Sequence, residues 1–330
     1  MHRTLLLIAA LLAIPVASHA QASPAAIARG RVPSQPYLAY EVEDVLGRKI
    51  AWYLSEPRAA SPRPLIVYIH GSGHQSLFRQ AGGRIIPANG HGTLVDVVGD
   101  RARVVIVEKP GVERLDAGDG PPSPAFRREH TLDRWVEAVS AAVLAARRLP
   151  WVDTTRLLVI GHSEGGLVAA RVAARLPQVS HVALLAGGGP TQLFDLLQMA
   201  RAGRFFAEVS PDSADRVAYV LAQWDSIRGD PESATRDFFG HPFRRWASFL
   251  RDSPIAALRA TDAAVFMAQG EVDQAVSRAS FEALLAELVV AGRRPTARLI
   301  AGADHSFAIP AALRDGWSEV LTDVVRWYLR

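Results

Sequence analysis

Six short apolar runs punctuate the chain: LIVYIH at 65–70, RVVIVE at 103–108, RLLVI at 156–160, HVALLA at 181–186, AVFMAQ at 264–269 and ARLI at 297–300. Runs of this length, rich in Val, Ile and Leu and without polar alternation, suit strands buried on both faces. Several of the intervening segments carry helical spacing instead. Leu132, Trp135, Val139 and Val143 recur at intervals of three and four before Pro150 stops the pattern. Residues 167–176 behave the same way ahead of Pro177, and 277–291 ahead of Gly292, which is placed to cap the helix. A last helix is expected over 314–329. Strands alternating with helices require a mostly parallel sheet, because a parallel pair needs a long crossover. The expected class is α/β, with helices on both faces and ligands gathered at the carboxyl ends of the strands.

Three segments fall outside this rhythm. YLAYEVEDVLGRKIAWYL, at 37–54, holds two strand-like runs around Leu46-Gly47 and reads as a β-hairpin at a sheet edge. Residues 21–36, rich in Ala, Pro, Ser and Gln, read as a flexible leader. Residues 191–260 contain no good strand, have helix-compatible spacing, and carry many aromatics, among them Phe205, Phe206, Phe239 and Trp246. They read as a helical insertion that divides the core into 37–190 and 261–330. Most of its aromatics should form a small core of their own, with a few left to line a cleft.

Residues 1–20 have the layout of a signal peptide: a short basic start, the apolar run LLLIAALLAIPVA, and Ser18-His19-Ala20 with small residues at the cleavage positions. The expectation is export, to the periplasm or medium, with cleavage after Ala20, Ala22 being the second choice, and no stable membrane insertion afterwards; a retained amino-terminal anchor is the alternative. With no cysteine in 330 residues, disulfides, thiolate metal sites and a cysteine nucleophile are excluded. The net charge is +4, yet no run of five like charges occurs, so no nucleic-acid partner is expected. The glycines at 71–73 and 187–189 match neither a phosphate-binding loop nor a dinucleotide fingerprint, and no cofactor is expected. His70, His74 and His91 lie close in sequence, but their spacing crosses a glycine loop and lacks the zinc-helix pattern, so no metal is expected either.

VIGHSEGGLV, at 159–168, sets Ser163 between a strand and a helix, with Gly161 and Gly165 relieving the crowding of a tight turn. A serine hydroxyl becomes a strong nucleophile only beside a base. His305, in the loop after the last strand, is placed to be that base. Asp273, three residues after Gly270, is the preferred orienting acid, with Glu271 and Asp304 as competitors. The oxyanion donors are expected from the backbone amides of Glu164 and of Ser72, with Gly73 as second choice, at the exit of the first buried strand. The side chains of His162 and Glu164 are expected to point away from the nucleophile. Glu108 and Lys109, at another strand exit, either contact substrate or pair with each other.

With Gly-His-Ser-Glu-Gly as nucleophile elbow and the order Ser163, Asp273, His305, the chain resembles the α/β-hydrolase superfamily over roughly residues 38–330. The resemblance implies an α/β-hydrolase fold, residues 191–260 as a helical cap, and a serine hydrolase acting on a small-molecule substrate. An ester is the expected substrate. A peptide or amide on the same triad is the first alternative, disfavoured because no charged anchor for a peptide terminus is evident. A non-catalytic binding protein on the same fold is the second.

Overall fold

The computed structural model describes residues 25–58 and 60–330. The expected signal peptide therefore lies outside the described residues. Nine strands form the central sheet: β1 (Ile27–Arg31), β2 (Tyr37–Glu43), β3 (Lys49–Ser55), β4 (Arg63–Ile69), β5 (Arg103–Val107), β6 (Val152–His162), β7 (His181–Leu185), β8 (Ala264–Gly270) and β9 (Thr296–Ile300). Their spatial order is β1-β2-β3-β5-β4-β6-β7-β8-β9. The six strands from β5 through β9 run parallel, and β1 to β3 add an antiparallel margin. Parallel strands end on one side of the sheet, so the residues that follow β4, β6, β8 and β9 share a single edge.

Side chains on a strand alternate between faces, which gives each apolar run two cores to fill. In β4, Leu65, Val67 and Ile69 enter one core while Ile66 and Tyr68 enter the other. In β6, Leu157 and Val159 oppose Leu158 and Ile160 in the same manner. The first core is closed by α3 (Leu132–Ala146), α4 (Glu164–Arg175), α8 (Pro254–Arg259) and α9 (Arg278–Val290), and the second by α1 (His91–Val98) and α10 (Trp317–Tyr328). A short α2 (Pro124–Glu129) precedes α3. Thr131 and Ser277 cap α3 and α9, each accepting the backbone N–H three residues on. Among the described residues no helix is long and apolar enough to cross a membrane.

The inserted segment holds α5 (Gln192–Arg201), α6 (Ser213–Gly229) and α7 (Phe243–Phe249), packed on a third cluster built around Leu196, Phe206, Val220, Phe238 and Trp246. Three expectations need correction. The leader is not loose throughout, because residues 27–31 pair antiparallel with β2 and make β1 the sheet edge, one strand outside the 37–54 hairpin. Edge pairing uses backbone groups alone, and all five side chains of β1 are exposed, so no apolar pattern announced it. The insertion also ends earlier than residue 260. Phe249, Ala257 and Leu258 join the main core, and the separate cluster stops at Leu250. Finally, the segment does contain strand, a hairpin of two residues per side at 237–238 and 241–242.

Candidate active site

One residue, Ser163, separates β6 from α4, and it must reverse the chain direction within that single step. Its backbone sits at φ 55°, ψ −126°, a region costing a non-glycine residue about 1–3 kcal/mol. Two bonds hold it there: Ser163 N–H donates to Leu185 O at 2.8 Å, and Gly166 N–H donates to Ser163 O at 2.8 Å. The flanking glycines are sterically required. A Cβ on Gly161 would stand 2.0 Å from Gly165 O, and one on Gly165 would stand 2.4 Å from Ile69 O.

The Ser163 Oγ lies 2.9 Å from His305 Nε2, and His305 Nδ1 lies 2.8 Å from Asp273 Oδ2. The structure thus brings Ser163 to two residues that lie more than a hundred positions further along the chain. Asp273 is wholly buried. Its Oδ1 accepts the amides of Ala275 (2.7 Å) and Val276 (2.9 Å), and its Oδ2 also accepts Gln269 Nε2 at 2.6 Å. A carboxylate already held by three other donors accepts from the imidazole, so the proton belongs on Nδ1 and Nε2 is left to accept from Ser163. Gln269, on β8, was not singled out from sequence, since a polar residue ending a strand carries no mark of its role. Glu271 and Asp304 are engaged elsewhere: Glu271 accepts Gly302 N–H, and Asp304 accepts the amides of Ser306 and Ala308.

The turn after β4 approaches Ser163 closely, for a Cβ on Gly71 would lie 3.0 Å from the Ser163 Cβ. Lys109, fully buried, donates to Gly71 O at 2.5 Å and Gly73 O at 2.8 Å, with Nζ 4.5 Å from the centre of the Trp135 ring. In a trans peptide the carbonyl and the following N–H point in opposite directions. With Gly71 O turned to Lys109, the Ser72 N–H faces the other way. Glu164 N–H is the first amide of α4, where helix geometry offers no carbonyl four residues back. Burial pulls the Lys109 ammonium down to about 8, against the pull of Glu164. Glu108 pairs with neither substrate space nor Lys109. Its carboxylate accepts from Ser76 Oγ at 2.7 Å and the Leu77 amide, and burial pushes it up to about 7.

The Glu164 side chain turns inward to an ion pair with Arg245 of α7 and a 2.9 Å bond with His130, all three almost fully buried. Burial alone would raise the Glu164 carboxyl, but Arg245 and His130 outweigh it and hold it well below the usual range. His130 is lowered to about 4, chiefly by burial. This latch joins the insertion to the residue after Ser163. His162 does not point away, contrary to expectation: its Nε2 lies 3.0 Å from His305 O, and its ring packs on His305 and Trp317. A β-strand's last residue alternates to the face opposite its predecessor, and here that face is the cleft wall.

Two cavities open beside Ser163 and Ser72. The larger, about 430 Å³, is walled by Tyr68, Asn89, His162, His305, Ala308 and Trp317. The smaller, about 180 Å³, lies under the insertion between Leu196, Phe205, Phe239, Trp246 and Val276. Among the described residues no three His, Cys, Asp or Glu side chains form a metal-ligand group. His91 is engaged by Tyr37 and Leu77 O, His74 by Gly120 O, and His70 packs on Trp135.

The model of the alpha/beta hydrolase family matches residues 66–318. Solved structures of the same fold include a puromycin-hydrolyzing peptidase from Mycobacterium tuberculosis, with TM-score 0.56 and 17% identity over 89% of this chain and 39% of that one. The acylaminoacyl peptidase of Pyrococcus horikoshii superposes at 0.61 with 13% identity, over 89% and 41%. Est1E from Butyrivibrio proteoclasticus, with ferulic acid bound, superposes at 0.57 with 18% identity, over 87% and 96%. The chain spans about two-fifths of the length of the two peptidases. No curated protein matches it significantly.

Proposed function

Since this chain belongs to the alpha/beta hydrolase family, we propose that it is a serine hydrolase that cleaves carboxylic esters through an acyl-enzyme. The observation carrying this reading is the unbroken chain of hydrogen bonds from Ser163 Oγ through His305 to buried Asp273, at an elbow open to two cavities. Ser163 Oγ attacks the carbonyl carbon while its proton passes to His305 Nε2. Asp273 stabilises the imidazolium. The oxyanion forms between the Ser72 and Glu164 amides, each contributing roughly 3 kcal/mol to the transition state. The imidazolium then protonates the departing alcohol oxygen, and water repeats the sequence on the acyl-enzyme to release the acid.

Ester is preferred to peptide because the carboxylates near the smaller cavity are already engaged, which leaves none there for a substrate ammonium. Asp195 accepts from the Ser277 amide and hydroxyl and from Ser280, and Arg245 holds Glu164. One observation favours an amide substrate instead. Asp315 stands exposed at the larger cavity, where it could receive a substrate ammonium. Matched p-nitrophenyl esters and p-nitroanilides decide between them. The ester reading expects measurable ester turnover and anilide kcat/KM at least a hundredfold lower; comparable anilide rates, lost in Asp315→Asn, would establish the peptidase. The pattern of residues 1–20 further supports an exported enzyme, and a mature protein starting at Gln21 is the expected product.

A further inference from the structure

The two cavities at Ser163 are not equivalent, and their difference bears on what the enzyme cleaves. His305 borders the larger one, together with Ser306 and Ala308, and does not border the smaller. In acyl transfer the imidazolium must reach the leaving oxygen to protonate it. The leaving group therefore lies on the His305 side, and the acyl group extends away from it, past Glu164 and Gly187-Gly188 and under the insertion. Resting on the serine-ester reading above, we propose that the cavity under the insertion binds the acyl group, a single ring or short apolar chain, and that the larger cavity binds an uncharged alcohol.

Phe239 marks the acyl side. It occupies the first position of a two-residue hairpin turn, with φ 44°, followed by Gly240 at φ 76°. Both positions of such a turn need positive φ, which favours Asn, Asp or Gly and penalises an aromatic residue. Phe239 is also 47% exposed. Backbone preference does not account for a phenylalanine there, and its half-buried ring is held only by the aromatic cluster of the insertion. Its ring stands 5.0 Å from those of Phe205 and Phe206, at the rim of the smaller cavity. An apolar acyl ring would complete that aromatic cluster. On the other side, Tyr68, His162 and Trp317 supply aromatic walls, Asn89 and Ser306 supply polar groups, and neither Lys nor Arg is among the lining residues. An anionic alcohol finds no partner there and meets Asp315 at the rim.

The test is a matrix of esters with acetyl or phenylacetyl as acyl group and methanol, a naphthol or a carboxylate-bearing phenol as alcohol. Phe239→Asn suits the turn while removing the ring, and Ala308→Phe narrows the larger cavity from a partly buried position. Phe239→Asn should lower the phenylacetyl-to-acetyl ratio of kcat/KM about tenfold without moving the naphthol-to-methanol ratio. Ala308→Phe should do the reverse, and wild type should disfavour the anionic phenol. A ratio that moves on the wrong side of the ester, or longer acyl chains preferred to short ones, overturns the assignment. Fluorophosphonate labelling of Ser163 keeps the two levels apart. Labelled protein with the wrong selectivity refutes the cavity assignment alone, whereas unlabelled, folded protein refutes the serine reading and the assignment with it.

Discussion

Replacing Lys109 with methionine should separate activity from stability, because the buried ammonium serves the turn at Gly71–Gly73 at some cost to the fold. Its two bonds, to Gly71 O and Gly73 O, fix the peptide that aims the Ser72 amide. Methionine has similar length but no donor. Losing the two charge-assisted bonds costs about 1.5 kcal/mol each, and not more because both carbonyl residues are partly exposed, so water can replace the donor. Against this, lowering a lysine from its ordinary value to about 8 reports a penalty on the order of 3 kcal/mol for the buried charge, which methionine does not incur. The two effects nearly offset, and unfolding free energy should stay within about 2 kcal/mol of wild type. Turnover should not. A lost oxyanion donor costs about 10²–10³ in kcat, and a donor present but no longer clamped should cost about 10–100-fold, with KM little changed. Steady-state hydrolysis of a soluble aryl ester, beside urea unfolding, measures both quantities. A variant with wild-type kcat and intact fold would refute the positioning role of Lys109.

Two further predictions concern buried charge. Arg245→Met strands the Glu164 carboxylate and should cost about 3–5 kcal/mol of stability; adding Glu164→Gln should recover part of the loss, and additive losses in urea unfolding would argue against the latch. Acid should destabilise the fold. Burial lowers His91, His130 and His162 to about 4, His241 to about 3 and His70 well below its ordinary value, so the unfolded chain binds protons that the folded one refuses. Glu108 and Asp195, raised to about 7 by burial, act in the opposite sense, since the folded state keeps their protons. The five imidazoles outweigh the two carboxyls. Stability should fall between pH 6 and 5 by up to about 4 kcal/mol per unit, and a flat or rising unfolding midpoint over that interval contradicts this balance.

Much of the fold was legible because it rests on local patterns. Runs such as LIVYIH and RLLVI are apolar at every position for the plain reason that both faces of β4 and β6 are covered. Ser163, Asp273 and His305, which the structure brings within hydrogen-bonding distance of one another, are marked in the sequence by glycines and strand ends, which signal turns even where nothing is known of the partner. What escaped depends on contacts distant in sequence or made by backbone alone. β1 pairs through its main chain and shows no apolar face. The hairpin at 78–81 and 84–87 had a signal that went unread, a Gly82-Gly83 turn between short runs. Arg245 meets Glu164 across 81 residues, and nothing in FRRW distinguishes a latch from a solvated helix face. Lys109 carries a faint mark, a cation directly after a fully buried strand, which becomes meaningful only when the turn at 71–73 is seen against it.

The central claim is that Ser163 attacks the carbonyl. Rapid quenching of the enzyme during turnover of an activated aryl ester, followed by mass analysis of the peptide that carries residue 163, tests it most directly. The structure predicts an acyl mass increment on Ser163, a burst of phenol stoichiometric with enzyme, loss of both in Ser163→Ala, and turnover about 10³–10⁴-fold slower in Asp273→Asn. Ester hydrolysis that persists in folded Ser163→Ala, or an acyl group found on another residue, would contradict it.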